Sequence, residues 1–358
     1  MEATKEVTAP VSTTPSAPQL HVSPGPHLAA KGFSTRRMML DVLVALVPVL
    51  VASIVIFKWM AVKQLAVSVL GCMAAEFIFT AARRRKPTLN DLSAVVTGVL
   101  LAMSLPGTSP WFVTLIAAFA AMGLGKFIFG GLGHNIFNPA MVGRAFAMMA
   151  FTGALAAGGY VDATSGGVVS QATPMTAWQM NHHVTSPLAL LLGNTNGSLG
   201  ETSAIACLIG GLYLLIRRTA AWQIPVGVIA ATIVFGLMDT SRETLAAGSI
   251  LVSGQWSHLW SFMLEEWTVA HHLLGGAVLF GAFFIATDPV SSPLTPKGRF
   301  IFGAGVGALA MLMRSLSAYP EGVMFSVLLM NALTPLINRW TIPVPVGGPV
   351  PKPAAAKK

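Results

Sequence analysis

Three parts of this 358-residue chain carry side chains that could do chemistry. The first is Gly130-Gly-Leu-Gly-His-Asn-Ile-Phe-Asn-Pro-Ala140, followed by Arg144. Gly130, Gly131 and Gly133 permit tight backbone turns and the close approach of a planar ligand, while His134, Asn135 and Asn138 add donors and acceptors beside Phe137. The same residues also describe a Gly-rich turn between helices with Asn caps. The second part is acidic. Glu76 lies deep in an apolar run and Glu201 begins another, and buried charge is costly unless it is paired or hydrated. An ion path and interhelical pairing with an arginine are both open for Glu76, whereas Asp41 and Asp91 sit at wet run ends. The third part is hydroxylic: Asp162-Ala-Thr-Ser-Gly-Gly-Val-Val-Ser-Gln-Ala-Thr-Pro174 reads from composition as a turn region. Metal chemistry is not expected. His182-His183 and His271-His272 point in different directions with no carboxylate or cysteine cluster beside them, and Cys72 and Cys207 are far apart in apolar runs.

These groups must be positioned by elements that live in lipid. Hydrophobic residues make up 54% of the chain and charged residues 10%, far below the quarter or so of a soluble protein, which excludes an ordinary soluble enzyme. Ten apolar segments can be marked, at 38–57, 64–82, 91–105, 111–130, 140–157, 199–216, 222–238, 269–286, 300–317 and 321–337. The expected fold is therefore an all-α polytopic membrane protein with about ten transmembrane helices. The third segment is short and the fourth Gly-rich near its end, as half-helices lining a binding site would be.

The net charge of +9 could signal nucleic acid, but the distribution of basic residues gives it another meaning. With the N-terminus inside, all of the 22 Lys and Arg fall on the inner side except Lys58, Lys63, Arg242 and Arg314. That bias predicts an N-in, C-in topology and no nucleic-acid partner. Residues 1–30 and 341–358, rich in Pro and small residues, are expected to be disordered cytoplasmic tails around a membrane domain at 31–340. Two long outside loops follow, near 158–198 and 239–268. The second carries Trp256, Trp260 and Trp267, which suit an interfacial belt.

Several stretches in one order resemble a known family. They are Pro87-Thr-Leu-Asn-Asp-Leu-Ser-Ala-Val-Val-Thr-Gly98, the Gly130–Ala140 stretch with Arg144, Gly200-Glu-Thr-Ser203, Ala286-Thr-Asp-Pro-Val-Ser-Ser-Pro-Leu-Thr295 and Tyr319-Pro-Glu-Gly322. Together with Ser170-Gln-Ala-Thr173-Pro they resemble the D subunit of the Rnf complex, over roughly residues 24–340. The B subunit of the sodium-pumping NADH:quinone reductase is a homologue of that protein. The resemblance implies an electron-transfer subunit of an ion-translocating ferredoxin:NAD+ oxidoreductase in the bacterial cytoplasmic (inner) membrane, moving Na+ or H+. It also implies FMN joined through its phosphate to the Thr173 hydroxyl, within a motif formed by Ser170, Ala172 and Thr173, on the extracytoplasmic side. Gln171 stands where the family usually has Gly. A second, non-covalent riboflavin near Asn135, Asn138 and Asp288 is implied as well. The partners are then the other membrane and peripheral Rnf subunits, a flavin transferase for maturation, and the bilayer. Thr173 would be a tether, so no side chain is expected to be catalytic in turnover. A secondary transporter or channel without a redox cofactor is the rival, with a passive anchor for soluble redox partners a third reading.

Overall fold

The computed structural model describes residues 34–84, 89–156, 159–161, 168–170, 172–181, 183–193, 195–246, 269–316 and 322–343. Asp162, Gln171, His182, the three tryptophans of the second outside loop and most of both tails lie outside them.

The first helix, α1 (Thr35–Phe57), starts where the Ser34 side chain caps the Arg37 N–H, and its 23 apolar-rich residues reach about 35 Å, enough to cross a bilayer. A sharp reversal at Lys58, with φ of 49°, leads into α2 (Trp59–Ala82). The expected 64–82 segment thus begins a turn and a half early. Then come α3 (Ser93–Ser104), α4 (Trp111–Phe127, whose last stretch from Ala121 is a π-helix), α5 (Pro139–Ala150) and the short α6 (Thr152–Ala156). A three-residue antiparallel hairpin, β1 (Gly159–Val161) with β2 (Val168–Ser170), is the one exception to helix among the described elements. Further on lie α7 (Pro174–Asn181), α8 (Pro187–Leu192), α9 (Ala204–Ile216), α10 (Gln223–Ala246), α11 (Val269–Leu274), α12 (Val278–Phe280, continuing as a π-helix to Ile285), α13 (Pro296–Leu316) and α14 (Val323–Thr341).

Three of these helices, α1, α2 and α13, are both long and apolar enough to cross a membrane alone. The other apolar segments are shorter or broken, and the breaks are informative. Helix α3 stops at Ser104, where Leu105 turns extended, and the chain just before α9 crosses it. There the Leu199 N–H donates to Leu105 O (3.2 Å) and the Gly200 N–H to Met103 O (2.7 Å), and Pro106 bridges Ser198 in antiparallel register. The Ser53 hydroxyl caps Leu199 O at 2.5 Å, and the Gln64 amide caps Pro106 O at 3.2 Å. Irregular backbone is tolerated at membrane depth only when protein satisfies it in this way.

Helix packing follows the rule for lipid, where close backbone approach replaces the hydrophobic drive. A Cβ on Gly303 of α13 would collide with Ile224 O on α10, and one on Gly307 would lie 2.5 Å from Val228 O. Gly303→Leu is therefore expected to force α10 and α13 apart and abolish the monodisperse peak in size-exclusion chromatography. A wild-type profile at wild-type yield would refute this packing.

Three basic residues used for the orientation argument turn out to be interior. Lys126, Arg144 and Arg314 are only 2%, 7% and 3% exposed, because each satisfies a buried partner rather than a loop. Arg314 donates to His272 O (2.6 Å) and Gly275 O (2.9 Å), closing the end of α11.

Candidate functional site

A cleft of ≈ 820 Å³, measured to its open mouth, lies at the end of the helix bundle where α1, α3 and α5 begin. Its walls are apolar, from Val42, Val96, Leu100, Leu132 and Phe284, and a few polar groups converge on it. They include Asn135, Asn138 and Asp288, which the chain separates by more than a hundred and forty residues and the fold brings together. Concave, largely apolar sites with a few directed polar groups are the usual form of a small-molecule pocket.

Local geometry explains how each arrives there. Gly130, Gly131 and Gly133 have φ of 120°, 113° and 88°, which only glycine adopts without strain, and they turn the chain from α4 back towards α5. Asn138 is the N-cap of α5: its Oδ1 accepts from Ala140 N (3.0 Å) and Met141 N (3.4 Å), while its Nδ2 donates to Ile285 O (3.2 Å). Both ends of that amide are committed to the fold, so the Asn-cap reading holds for Asn138 even though it lines the cleft. Asn135 donates to Phe137 O (3.1 Å), and its Oδ1 is the end left for a guest. Asp288, in the loop between α12 and α13, accepts from Val290 N (3.2 Å) and from the Ser291 hydroxyl (3.0 Å).

Burial raises the Asp288 pKa above its ordinary value, and these two hydrogen bonds oppose the rise. A carboxyl with a raised folded-state pKa costs stability when ionised, and the cost is relieved as pH falls through that raised value towards the ordinary one. Asp288→Asn removes the charge, keeps an acceptor for the Val290 N–H and places an amide donor where the Ser291 hydroxyl can accept in turn. We expect it to melt above wild type at neutral pH, with the gap closing as the pH is lowered towards about 4, the ordinary carboxylate range. A gap independent of pH would refute the assignment.

Among the described residues, Lys126 is the cation of this cleft, and by spacing alone it is only one more inner-side charge. It projects from the π-helical end of α4, donating to Glu76 Oε1 (3.1 Å) and Ser93 Oγ (2.7 Å). Of the two readings open for Glu76, the structure shows pairing, with a lysine inside another apolar segment rather than an arginine at a helix end. A lysine within an apolar run is itself a signal of function or pairing. π-Turns recur at functional sites because they displace side chains from helical register, and α12 carries a second one against the same cleft at Phe284.

Thr173 lies apart from this cleft, in a smaller pocket of ≈ 280 Å³ with Thr195, Asn196, Glu201 and Gly276. Its Oγ1 accepts from Thr176 N (3.3 Å) and pairs with Thr176 Oγ1 (2.9 Å), so Thr173 caps the N-terminus of α7. Ala172 is exposed beside it, and Ser170 closes strand β2. Glu201 is held by Arg144 at 3.2 Å, and the Ser198 hydroxyl takes a second Arg144 nitrogen at 3.4 Å. The two pockets flank α9: Glu201 precedes its first turn, while Leu214 and Thr219 border the cleft at its far end. Thirteen helical residues put them about 20 Å apart.

Apolar helices, some of them broken, with paired interior charges around two offset pockets, define a polytopic helical membrane protein. The NQR2, RnfD, RnfE family model matches residues 21–347, and the chain belongs to that family. Among its relatives is the D subunit of a Na(+)-translocating ferredoxin:NAD(+) oxidoreductase complex from Acetobacterium woodii, 36% identical over 90% of this chain and 93% of the relative. The D subunit of a proton-translocating counterpart from Clostridium ljungdahlii is 35% identical over 91% and 96%. That of an ion-translocating oxidoreductase complex from Ectopseudomonas mendocina is 38% identical over 89% and 93%.

Proposed function

We propose that this chain is the membrane-embedded flavoprotein subunit of an ion-translocating ferredoxin:NAD+ oxidoreductase, in the bacterial inner membrane with other Rnf subunits. The observation that carries the reading is the convergence of Asn135, Asn138 and Asp288 on one apolar cleft, in a chain whose relatives bear that complex's name. With ten spans and both termini inside, the cleft lies on the cytoplasmic side and Thr173 on the other.

The residues present fit two flavins. FMN would be held by a phosphoester to Thr173 Oγ1, set by a flavin transferase, and riboflavin by the cleft; a flavin supplies one- or two-electron transfer when bound. In the cleft, Val96, Leu100 and Phe284 would exclude water around a bound ring, Asn135 Oδ1 would offer it an acceptor, and Lys126 would bring positive charge held in place by Glu76 and Ser93. At the tether, Thr173 stands at the N-terminus of α7, whose positive end would favour the negative charge of a phosphoester there. Electron transfer through the chain would be coupled to movement of Na+ or H+ by the complex.

Mass spectrometry of the purified chain and its peptides tests the whole reading. The expected result is an FMN adduct on the peptide containing Thr173, together with one extractable riboflavin. A colourless protein with no adduct would instead support a transporter or channel.

A further inference from the structure

A third cavity, which shares no lining residue with either pocket, opens between α2 and α4. It is a groove of ≈ 750 Å³ lined by Phe79, Phe119, Phe127, Ala82 and Ile128, with one polar side chain, Arg83, at its mouth. The rings of Phe79 and Phe127 stand 5.6 Å apart and those of Phe79 and Phe119 6.3 Å, forming a continuous aromatic floor. Gly123 keeps the groove open, since a Cβ there would meet the Phe79 ring at 3.1 Å. Around it, Phe77, Ile78 and Ile128 are 53%, 49% and 62% exposed, as residues facing hydrocarbon would be.

Arg83 is exposed but anchored. One guanidinium nitrogen donates to Phe127 O, and its carbon lies 5.8 Å from the Phe127 ring centre, while the residue as a whole stays exposed to a ligand. Arg84 is exposed beside it, and Arg85 and Lys86 follow in the chain. The carboxylates nearest along the chain are engaged elsewhere: Glu76 faces Lys126, and Asp91 accepts from Ser93 N and Oγ.

We propose that this groove is a binding site for an anionic phospholipid, with an acyl chain along the aromatic floor and the phosphate on Arg83. Charge complementarity selects the occupant. A basic cluster at the end of a membrane helix attracts anionic head groups, and the groove offers no polar side chain beyond Arg83 to satisfy the backbone of a peptide. Acyl chains bring no such groups.

The test uses the full chain in its native assembly, delipidated and then supplied with phosphatidylglycerol or phosphatidylcholine, with bound lipid counted by native mass spectrometry. Wild type is expected to prefer phosphatidylglycerol by about five-fold, the scale of one basic contact at a membrane surface, and Arg83→Gln to lose the preference. Ala82→Phe, which fills the groove from an exposed position, should lower retention of both lipids. Equal retention of the two lipids by wild type, or an unchanged preference in Arg83→Gln, overturns the proposal. A photo-crosslinking residue at Ile128 provides the second reading: adducts to lipid support the site, whereas adducts to another polypeptide show that a protein subunit covers the groove and overturn it.

Discussion

Thr173→Ala is expected to eliminate covalent flavin fluorescence on a denaturing gel, while Thr173→Ser retains it. The effect is all-or-none because the phosphoester needs a hydroxyl at that atom, and alanine supplies none. Loss of the cap on α7 should cost only about 1 kcal/mol, so the variant remains folded and elutes as wild type. The neighbouring Thr176 hydroxyl, 2.9 Å from Thr173 Oγ1, is the competitor within reach. Thr176→Val should therefore stay fluorescent. Fluorescence that survives in Thr173→Ala and disappears in Thr176→Val would move the tether three residues along, and fluorescence in both variants would rule out this helix start altogether.

The second large effect concerns stability. Lys126→Met removes the positive charge beside Glu76, which is 0% exposed, and stripping one partner from a buried pair typically costs about 3–5 kcal/mol. For a domain of this size that is a fall in melting midpoint of roughly 5–8 °C, readable in detergent by the unfolding of the purified chain. Adding Glu76→Gln to Lys126→Met should recover most of the loss, because no buried charge then remains at the pair. The double variant also separates fold from function: restored melting with reduced extractable riboflavin assigns the Lys126 charge to the cleft. Restored melting with full riboflavin would make the pair purely structural. If the double variant melts no higher than Lys126→Met, coupling between the two side chains is refuted.

Much of the architecture was legible in the sequence because lipid leaves few options. The ten apolar segments correspond to helices or helix pairs, and the Gly-rich end of the fourth is where α4 loosens into a π-helix. Asn135 and Asn138 stood out from their own stretch, but the expectation for Thr173 and the grouping of Asp288 with the two asparagines came only through resemblance, since one-dimensional spacing cannot bring residue 288 beside residue 138. Lys126 was available without any resemblance. It stands alone among Ala121-Met-Gly-Leu-Gly-Lys-Phe127, and a lone lysine in such a run must be paired or used. The crossing of α3 with the start of α9 also had a sequence trace. Ser104-Leu-Pro-Gly-Thr-Ser109 and Ser198-Leu-Gly-Glu-Thr-Ser203 share a Ser-Leu-x-x-Thr-Ser pattern, and the fold pairs the two copies. Helix ends were the least legible. Trp59 to Lys63 join α2, and α10 runs on to Ala246, because a helix in contact with its neighbours continues past the polar residues that end an apolar count.

That crossing also bears on how the protein is made. Met103 O and Leu105 O receive their partners, Gly200 N–H and Leu199 N–H, from chain synthesised about a hundred residues later, which at about 5–20 residues per second is a delay on the order of 10 s. Until then the end of α3 has bare carbonyls that hydrocarbon cannot satisfy, so it must wait in water or inside the insertion machinery. The amino-terminal half is consequently not a free-standing insertion unit, and a nascent chain halted before Ser198 would be a substrate for membrane quality control.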